Sequence, residues 1–406
     1  MITVEEATRL MQATATPVPV VAVPLTEAAG RVLREPLRAD RDFPPFDRVT
    51  MDGIALRFEA LRGGRRTFAV AGVQHAGAVP IPLGEGDGCL EVMTGTVLPP
   101  GTDTVIRYED LSFTDRNGGR YAEVTAAPEA AGQNVHRQGS DRRAGDQLLA
   151  PGRLLSPPDV GVAASVGRSS LNVSRALTLA VVSTGDELVD VDQLPLPHQI
   201  RRSNAYALAA ALGQAGARSQ LYHLRDDPQQ LETELRMILA GADGLVLSGG
   251  VSMGKADFVP AVLEALGVQK HFHTVAQKPG KPLWFGTSAE GKAVFALPGN
   301  PVSTMLCAIR YVLPWLRTGA QQTPEPPGRA VLTETISFAP PLTYFLPVQT
   351  FPGADGRRMG RPRPGGGSGD LANLTEADAF VELPAERKVF EAGEAFPIWK
   401  FRWSEF

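Results

Sequence analysis

Apolar and polar positions change rhythm several times along the chain. Over residues 1–12, Ile2, Val4, Ala7, Leu10 and Met11 recur near helical spacing, which predicts an amphipathic helix. From Pro17 to about Ala150 the pattern shortens to β-type runs between glycine-rich turns, clearest at 67–73, 89–93, 104–108 and 121–125. That region reads as β-rich. From about Arg175 to Arg317 the rhythm is strand, loop, helix. Apolar strands are predicted at 177–183, 244–248 and 293–297, and helices at 204–214, 229–240, 256–266 and 302–316. Such alternation predicts a parallel α/β sheet, with ligands beyond the C-terminal ends of its strands. A proline-rich stretch, 321–328, reads as a linker. Runs at 331–338, 344–350, 380–383 and 398–403 then predict a small terminal β domain.

Composition narrows the class. The 406 residues are 43% hydrophobic and 21% charged, with mean hydropathy −0.07, which excludes disorder, collagen and coiled coil. The longest apolar run, 205–212, is too short to span a membrane. Two early acids and no basic segment at the N-terminus argue against a secretory signal, so a cytoplasmic location is expected. Cys89 and Cys307 are too few for a disulfide framework or a cysteine metal site. A net charge of −4 argues against a nucleic-acid partner. Only seven of the 40 basic residues are lysines, and Lys255, Lys270, Lys278, Lys281 and Lys292 crowd into one stretch. Where arginine is the default cation, a retained lysine suggests a need for a compact ammonium.

Several loops could carry chemistry. Residues 248–257, Ser-Gly-Gly-Val-Ser-Met-Gly-Lys-Ala-Asp, follow an apolar strand and precede a helix. Gly249 and Gly250 suit close backbone approach to an anion. Gly249 to Lys255 also matches part of a nucleotide-binding P-loop, but Ala256 stands where that motif needs Ser or Thr for magnesium. Asp186 and Glu187 end the preceding strand. Carboxylates beside a phosphate site imply a cation between them, and magnesium takes one or two carboxylates plus ligand phosphates. Asp227 and Asp257 extend this acidic rim, although Asp227 equally reads as the N-cap of the next helix. The turn Lys278-Pro279-Gly280-Lys281-Pro282 offers two ammoniums on a stiff frame, and Leu297-Pro298-Gly299-Asn300-Pro301 ends the third core strand. In the N-terminal half, Asp47, Asp52-Gly53, Met93-Thr94-Gly95 and Gly139-Ser140-Asp141 are short polar turns. His271 and His273 would share one face of a strand, a remote possibility for zinc.

Taken in order, Pro45-Phe46-Asp47 with Met51-Asp52-Gly53, Met93-Thr94-Gly95, Ser183 to Leu188, Ser248 to Asp257, Lys278 to Pro282 and Leu297 to Pro301 resemble the molybdopterin molybdenumtransferase family, the MoeA and gephyrin E-domain type. The resemblance runs over essentially the whole chain. It implies a multidomain α/β and β fold, with a central molybdopterin-binding-type α/β domain, β-rich N-terminal domains and a C-terminal β-barrel. The implied limits are an elongated discontinuous domain (24–42 and 146–175), an inserted β-rich domain (43–145), the α/β domain (1–23 and 176–320) and the barrel (328–406). The implied reaction joins molybdate to adenylylated molybdopterin, with magnesium, giving molybdenum cofactor and AMP. On that resemblance Ser248, Gly249, Gly250 and Ser252 cradle the adenylylated substrate. Asp186, Glu187, Asp227 and Asp257 serve the metal and acid chemistry, with Asp186, Glu187 and Asp257 as metal ligands. Lys278 and Lys281 hold molybdate, with Pro298 and Pro301 lining the pocket. Asp52, Thr94 and Asp141 complete the site from the partner subunit of a homodimer, and Ser368 approaches the same cleft. Molybdopterin adenylyltransferase and cofactor-accepting molybdoenzymes are the implied partners. Near Phe345, where many members carry arginines, this chain reads Thr343-Tyr344-Phe345-Leu346-Pro347, leaving Arg361 or Arg363 as the expected substitute. Two other functions share parts of this pattern, a molybdopterin adenylyltransferase and a non-catalytic dimeric scaffold.

Overall fold

The computed structural model describes residues 1–116, 118–251 and 258–402. The chain divides into two compact units. The first comprises Met1–Arg34, Gly152–Ser156 and Leu171–Phe406, and the second comprises Glu35–Pro151 and Pro157–Ser170.

A six-stranded sheet organises the first unit. In chain order its strands are β1 (Thr178–Thr184), β2 (Arg218–Leu224), β3 (Gly244–Ser248), β4 (Gln269–His273), β5 (Trp284–Thr287) and β6 (Ala293–Leu297), and in space they run β2-β1-β3-β6-β5-β4. The predicted parallel sheet holds for β2, β1, β3 and β6. The sheet is mixed, however, because β5 runs antiparallel to both its neighbours, β6 and β4. A tight turn closed by Ser288 and Lys292 joins β5 to β6, and so short a connection reaches only an antiparallel neighbour.

Helices cover both faces, as strands buried at nearly every position require. Leu179, Val181, Val246 and Phe295 pack with α1 (Val4–Ala13) and α2 (Ser203–Gln214). Ala180, Val182, Leu245, Leu247 and Val294 pack with α3 (Pro228–Gly241) and α4 (Val259–Ala265). The first helix starts where Thr3 Oγ1 accepts the Glu6 N–H at 3.1 Å, and it buries Val4, Ala7 and Met11.

The predicted helix 302–316 is interrupted. α5 (Pro301–Cys307) passes into a π turn, Ala308–Val312, before α6 (Leu313–Gly319). Pro314 has no N–H for the Arg310 carbonyl, so a regular helix is broken there. The turn buries Arg310, whose guanidinium reaches Glu382 at 3.0 Å and Thr8 Oγ1 at 3.0 Å.

The C-terminal part is a barrel. Strands β7 (Arg329–Leu332), β8 (Thr343–Pro352), β9 (Arg358–Pro362), β10 (Ala379–Leu383) and β11 (Ala395–Lys400) lie in the order β8-β9-β7-β11-β10. The pairing of β10 with β8 closes the ring. Its interior holds Leu332, Leu346, Val348, Val381, Phe390 and Ile398. The predicted run 331–338 is two strands, since Ile336–Ser337 leaves the barrel to pair with Val389–Phe390.

The second unit is β-rich, with six strands in the order Thr104–Arg107, Gly53–Leu56, Cys89–Val92, Thr67–Gln74, Gly119–Val124 and Leu111–Arg116. Ile54, Leu56, Phe68, Cys89 and Ile106 form its core. Gly53 is required by space, because a Cβ there would lie 1.8 Å from the Ile106 carbonyl oxygen. No helix among the described residues is long and apolar enough to cross a membrane.

Candidate functional site

Parallel register assembles the site. Ser183 pairs with Ser248, and Ser248 with Leu297, so β1, β3 and β6 end side by side. Their exits, Thr184-Gly185, Gly249-Gly250 and Pro298-Gly299, therefore emerge together, where ligands of such sheets bind. Gly249 has φ +104°, and a Cβ there would sit 2.7 Å from the Thr184 carbonyl oxygen. Only glycine lets these two exits touch.

Beyond the strand ends lies a cavity of about 740 Å³. Of the residues singled out from the sequence, Glu187, Ser248, Gly249, Lys278, Lys281, Pro298, Pro301 and Ser368 line it. Asp186, Asp227 and Gly250 do not. Ser252, Lys255 and Asp257 lie outside the described residues.

Asn204, at the start of α2, ties the exits together. Its Nδ2 lies 2.9 Å from Ser248 Oγ, 2.7 Å from the Gly299 carbonyl and 3.2 Å from Thr304 Oγ1. The turn at 298–301 is bound to the Ser368 turn, through Asn300 Nδ2 donating to Ser368 Oγ at 2.8 Å and the Val302 N–H donating to the Ser368 carbonyl at 3.1 Å. Ser183 Oγ and Thr184 Oγ1 are buried at the wall of the cavity without a hydrogen-bond partner among the described residues. A buried hydroxyl left unpaired is costly.

The lysine turn is locked from beneath. Gln277, fully buried, donates from Nε2 to the Gly280 carbonyl at 3.0 Å, approaches Cys307 Sγ at 3.6 Å, and accepts the Tyr311 hydroxyl at Oε1. The Lys278–Pro279 peptide is cis. Lys278 and Lys281 meet no carboxylate among the described residues, and Lys278 Nζ lies 5.7 Å from the Phe338 ring centre. By contrast Lys270 pairs with Glu264 at 2.5 Å, and Lys292 caps the end of α3 through the Leu239 and Ala240 carbonyls. Arg202 and Arg201 also reach the cavity wall. They are tethered to Asp190 at 2.5 Å and the Gln193 carbonyl at 3.1 Å.

The acids divide by role. No hydrogen bond to the Glu187 carboxylate is found among the described residues, and neighbouring Asp186 accepts the Asp226 N–H at 3.4 Å. Asp227 Oδ1 caps α3, accepting from the Gln229 and Gln230 N–H groups at 3.0 and 2.9 Å. Of its two sequence readings, the cap is the one its geometry displays. Asp47 does not close its own turn but ties it to a distant segment, accepting from Arg137 at 2.6 Å and the Gln138 N–H at 2.8 Å. No group of three His, Cys, Asp or Glu among the described residues could hold a metal unaided. His271 and His273 do not act as a pair, since one meets Thr287 Oγ1 and the other the Val251 carbonyl, both at 3.0 Å. Burial pushes both cysteine thiols up to about 12, so neither is a nucleophile at neutral pH.

Asp52, Thr94 and Asp141 belong to the second unit, whereas every residue lining the cavity belongs to the first. The Thr94 N–H and hydroxyl donate to Asp52 Oδ1 at 2.6 and 2.7 Å, with the backbone bond the larger cause of a carboxyl held below its usual range. Asp141 lies 2.8 Å from His136 Nε2. Neither Arg361 nor Arg363 reaches the cavity wall. Arg361 lies over the Phe351 ring, and Arg363 donates to Gln349 at 2.9 Å.

Sequence reasoning passed over Asn204, Gln277 and the hydroxyls of Ser183 and Thr184. For Asn204 and Gln277 a polar residue beside an apolar core element was the available signal.

Comparison with known proteins covers the chain from end to end. Residues 2–167 match the MoeA N-terminal region, 180–318 a probable molybdopterin binding domain, and 329–401 the MoeA C-terminal region. A molybdopterin molybdenumtransferase from Synechocystis sp. is 39% identical over 91% of this chain and 92% of its own length. One from Synechococcus elongatus is 35% identical over 93% of each. The crystal structure of a MoeA protein from Pyrococcus horikoshii superposes with TM-score 0.81 at 29% identity, covering both chains fully.

Proposed function

Because the chain belongs to the MoeA family of molybdopterin molybdenumtransferases, which acts in molybdenum cofactor biosynthesis, we propose that it inserts molybdate into adenylylated molybdopterin and releases AMP. The observation that carries this reading is the convergence of the three strand exits, the lysine turn and the Ser368 turn on one cavity. A volume of about 740 Å³ suits a ligand of nucleotide-capped pterin size.

The roles follow from what each group has free. The Ser248 hydroxyl and the Gly249 backbone bind the phosphates and orient the anhydride, with Ser183 and Thr184 in the wall behind them. Lys278 and Lys281, without carboxylate partners, attract the molybdate dianion and hold it beside the pterin dithiolene. The Glu187 carboxylate, at the cavity wall and without a hydrogen-bond partner among the described residues, handles the proton exchanged when the phosphorus–oxygen bond of the anhydride breaks and AMP departs. Glu187 is the carboxylate at the cavity wall that would hold magnesium, which needs only one or two carboxylates plus substrate phosphates, with Asp186 beside it in sequence and Asp257 as the further ligands implied by the resemblance. When bound, magnesium neutralises charge that builds on the phosphate oxygens. Asp227 serves by fixing the start of α3.

The same reading makes the protein a cytoplasmic homodimer whose site is completed by Asp52, Thr94 and Asp141 of the partner subunit. It retains the four-domain division given above, receives its substrate from a molybdopterin adenylyltransferase and passes its product to molybdoenzymes. Its test is anaerobic incubation with adenylylated molybdopterin, magnesium and molybdate, with AMP measured by chromatography. AMP and molybdenum-loaded cofactor should appear together, and Glu187→Gln should slow release by about 10²-fold or more. Absence of both products rejects the reading, and ATP-dependent adenylylation of free molybdopterin would replace it with the adenylyltransferase.

A further inference from the structure

The cationic end of the cavity has a neutral hydrogen-bond donor built into it. The two-residue strand Gln277–Lys278 adds to the barrel alongside β8, and the register places Lys278 directly opposite Tyr344. Tyr344 lines the cavity, and its ring stacks on Phe338 with centres 4.3 Å apart and planes 14° from parallel. Lys278 Nζ lies 5.7 Å from the centre of that same Phe338 ring. The ammonium and the phenol thus border one aromatic pair, which the barrel core holds rigid. The Tyr344 hydroxyl makes no hydrogen bond to any described residue, although the ring is half-buried. That leaves the phenol free to donate to a group bound in the cavity.

The cations nearby leave the position open. Arg201 and Arg202 are tethered to the 190–193 segment, and Arg361 and Arg363 are engaged on the barrel away from the cavity wall. We propose that the Tyr344 hydroxyl is a binding residue for the oxyanion substrate, donating a hydrogen bond to a molybdate oxygen while Lys278 and Lys281 supply the opposing charge. The inference rests on the functional reading above and deepens it at this end of the site. Burial raises the Tyr344 pKa above that of a free phenol, so the hydroxyl keeps its proton and remains a donor at neutral pH. A neutral donor adds direction to the recognition of a tetrahedral anion that ammonium groups alone attract from any side.

The test uses the full chain and molybdate itself as the probe, titrated by calorimetry, with AMP release measured in parallel. Tyr344→Phe keeps the ring and its stacking. It should raise the molybdate Kd and KM by about tenfold and leave kcat at saturating molybdate within about twofold of wild type. Phe338→Leu, which keeps the phenol but removes the stacking surface, should give a smaller rise. An unchanged Kd for Tyr344→Phe, in a background where Lys278→Ala weakens binding, overturns the inference and leaves the functional reading standing. A wild-type chain that neither binds molybdate nor releases AMP overturns the functional reading itself. A Tyr344→Phe variant that loses kcat without a change in KM assigns Tyr344 to the protein frame and also overturns the inference.

Discussion

At the scale of single residues, the scarcity of lysine proved an informative signal. It pointed to a stretch in which Lys278 and Lys281 face the cavity with no carboxylate partner among the described residues, while Lys270 and Lys292 are used in local structure. Glu187 was legible from its turn, and Ser368 only through the family resemblance. Asn204 was not, because it acts on Gly299, 95 residues away, and no local pattern encodes such a meeting; Gln277 binds Gly280 only three residues on, but its other partners, Cys307 and Tyr311, are distant in sequence. Asp227 shows how one motif serves two readings. Its cap predicts that Asp227→Ala costs about 1 kcal/mol of stability, read in denaturant melts, whereas Asp227→Asn keeps both the cap and AMP release. An asparagine variant that folds as firmly as wild type but releases no AMP would give Asp227 a chemical role instead.

At the scale of elements, most strands and helices lie where periodicity placed them, β3 and β6 to the residue. The departures have physical causes that span more than one element. A short turn forces β5 antiparallel, Pro314 accompanies a π turn, and the barrel splits 331–338 by recruiting Ile336–Ser337 into another pairing. What periodicity does not carry is strand register, and register brings the exits of β1, β3 and β6 together. Gly249 is the tightest point of that junction. Gly249→Ala puts a methyl group 2.7 Å from the Thr184 carbonyl oxygen at a φ that L-residues rarely adopt. It should destabilise the first unit by about 1–3 kcal/mol and depress AMP release, both measurable on the purified variant. A variant with wild-type melting would mean that the exits are not in contact.

At the scale of the whole molecule, the cavity is lined by one unit, while Asp52, Thr94 and Asp141 sit in the other. The proposed dimer turns this into a complementation experiment. Asp52→Asn and Glu187→Gln homodimers should each be inactive. Mixed after dissociation and reassociation, they should recover about a quarter of wild-type AMP release, because random pairing gives half heterodimers with one intact site each. No recovery, with exchange of subunits verified by mass spectrometry, would count against a site shared between subunits.

The central claim is that the lysine turn and the neighbouring strand exits form one oxyanion pocket. Crystals soaked in tungstate and measured at a tungsten absorption edge test it directly, since the anomalous signal locates the metal without reference to any assumed pose. The account predicts a peak inside the cavity, within hydrogen-bonding reach of Lys278 and Lys281 through the oxide ligands and beside Tyr344. Strong peaks confined to other surfaces, with the cavity open to solvent in the crystal, would contradict it.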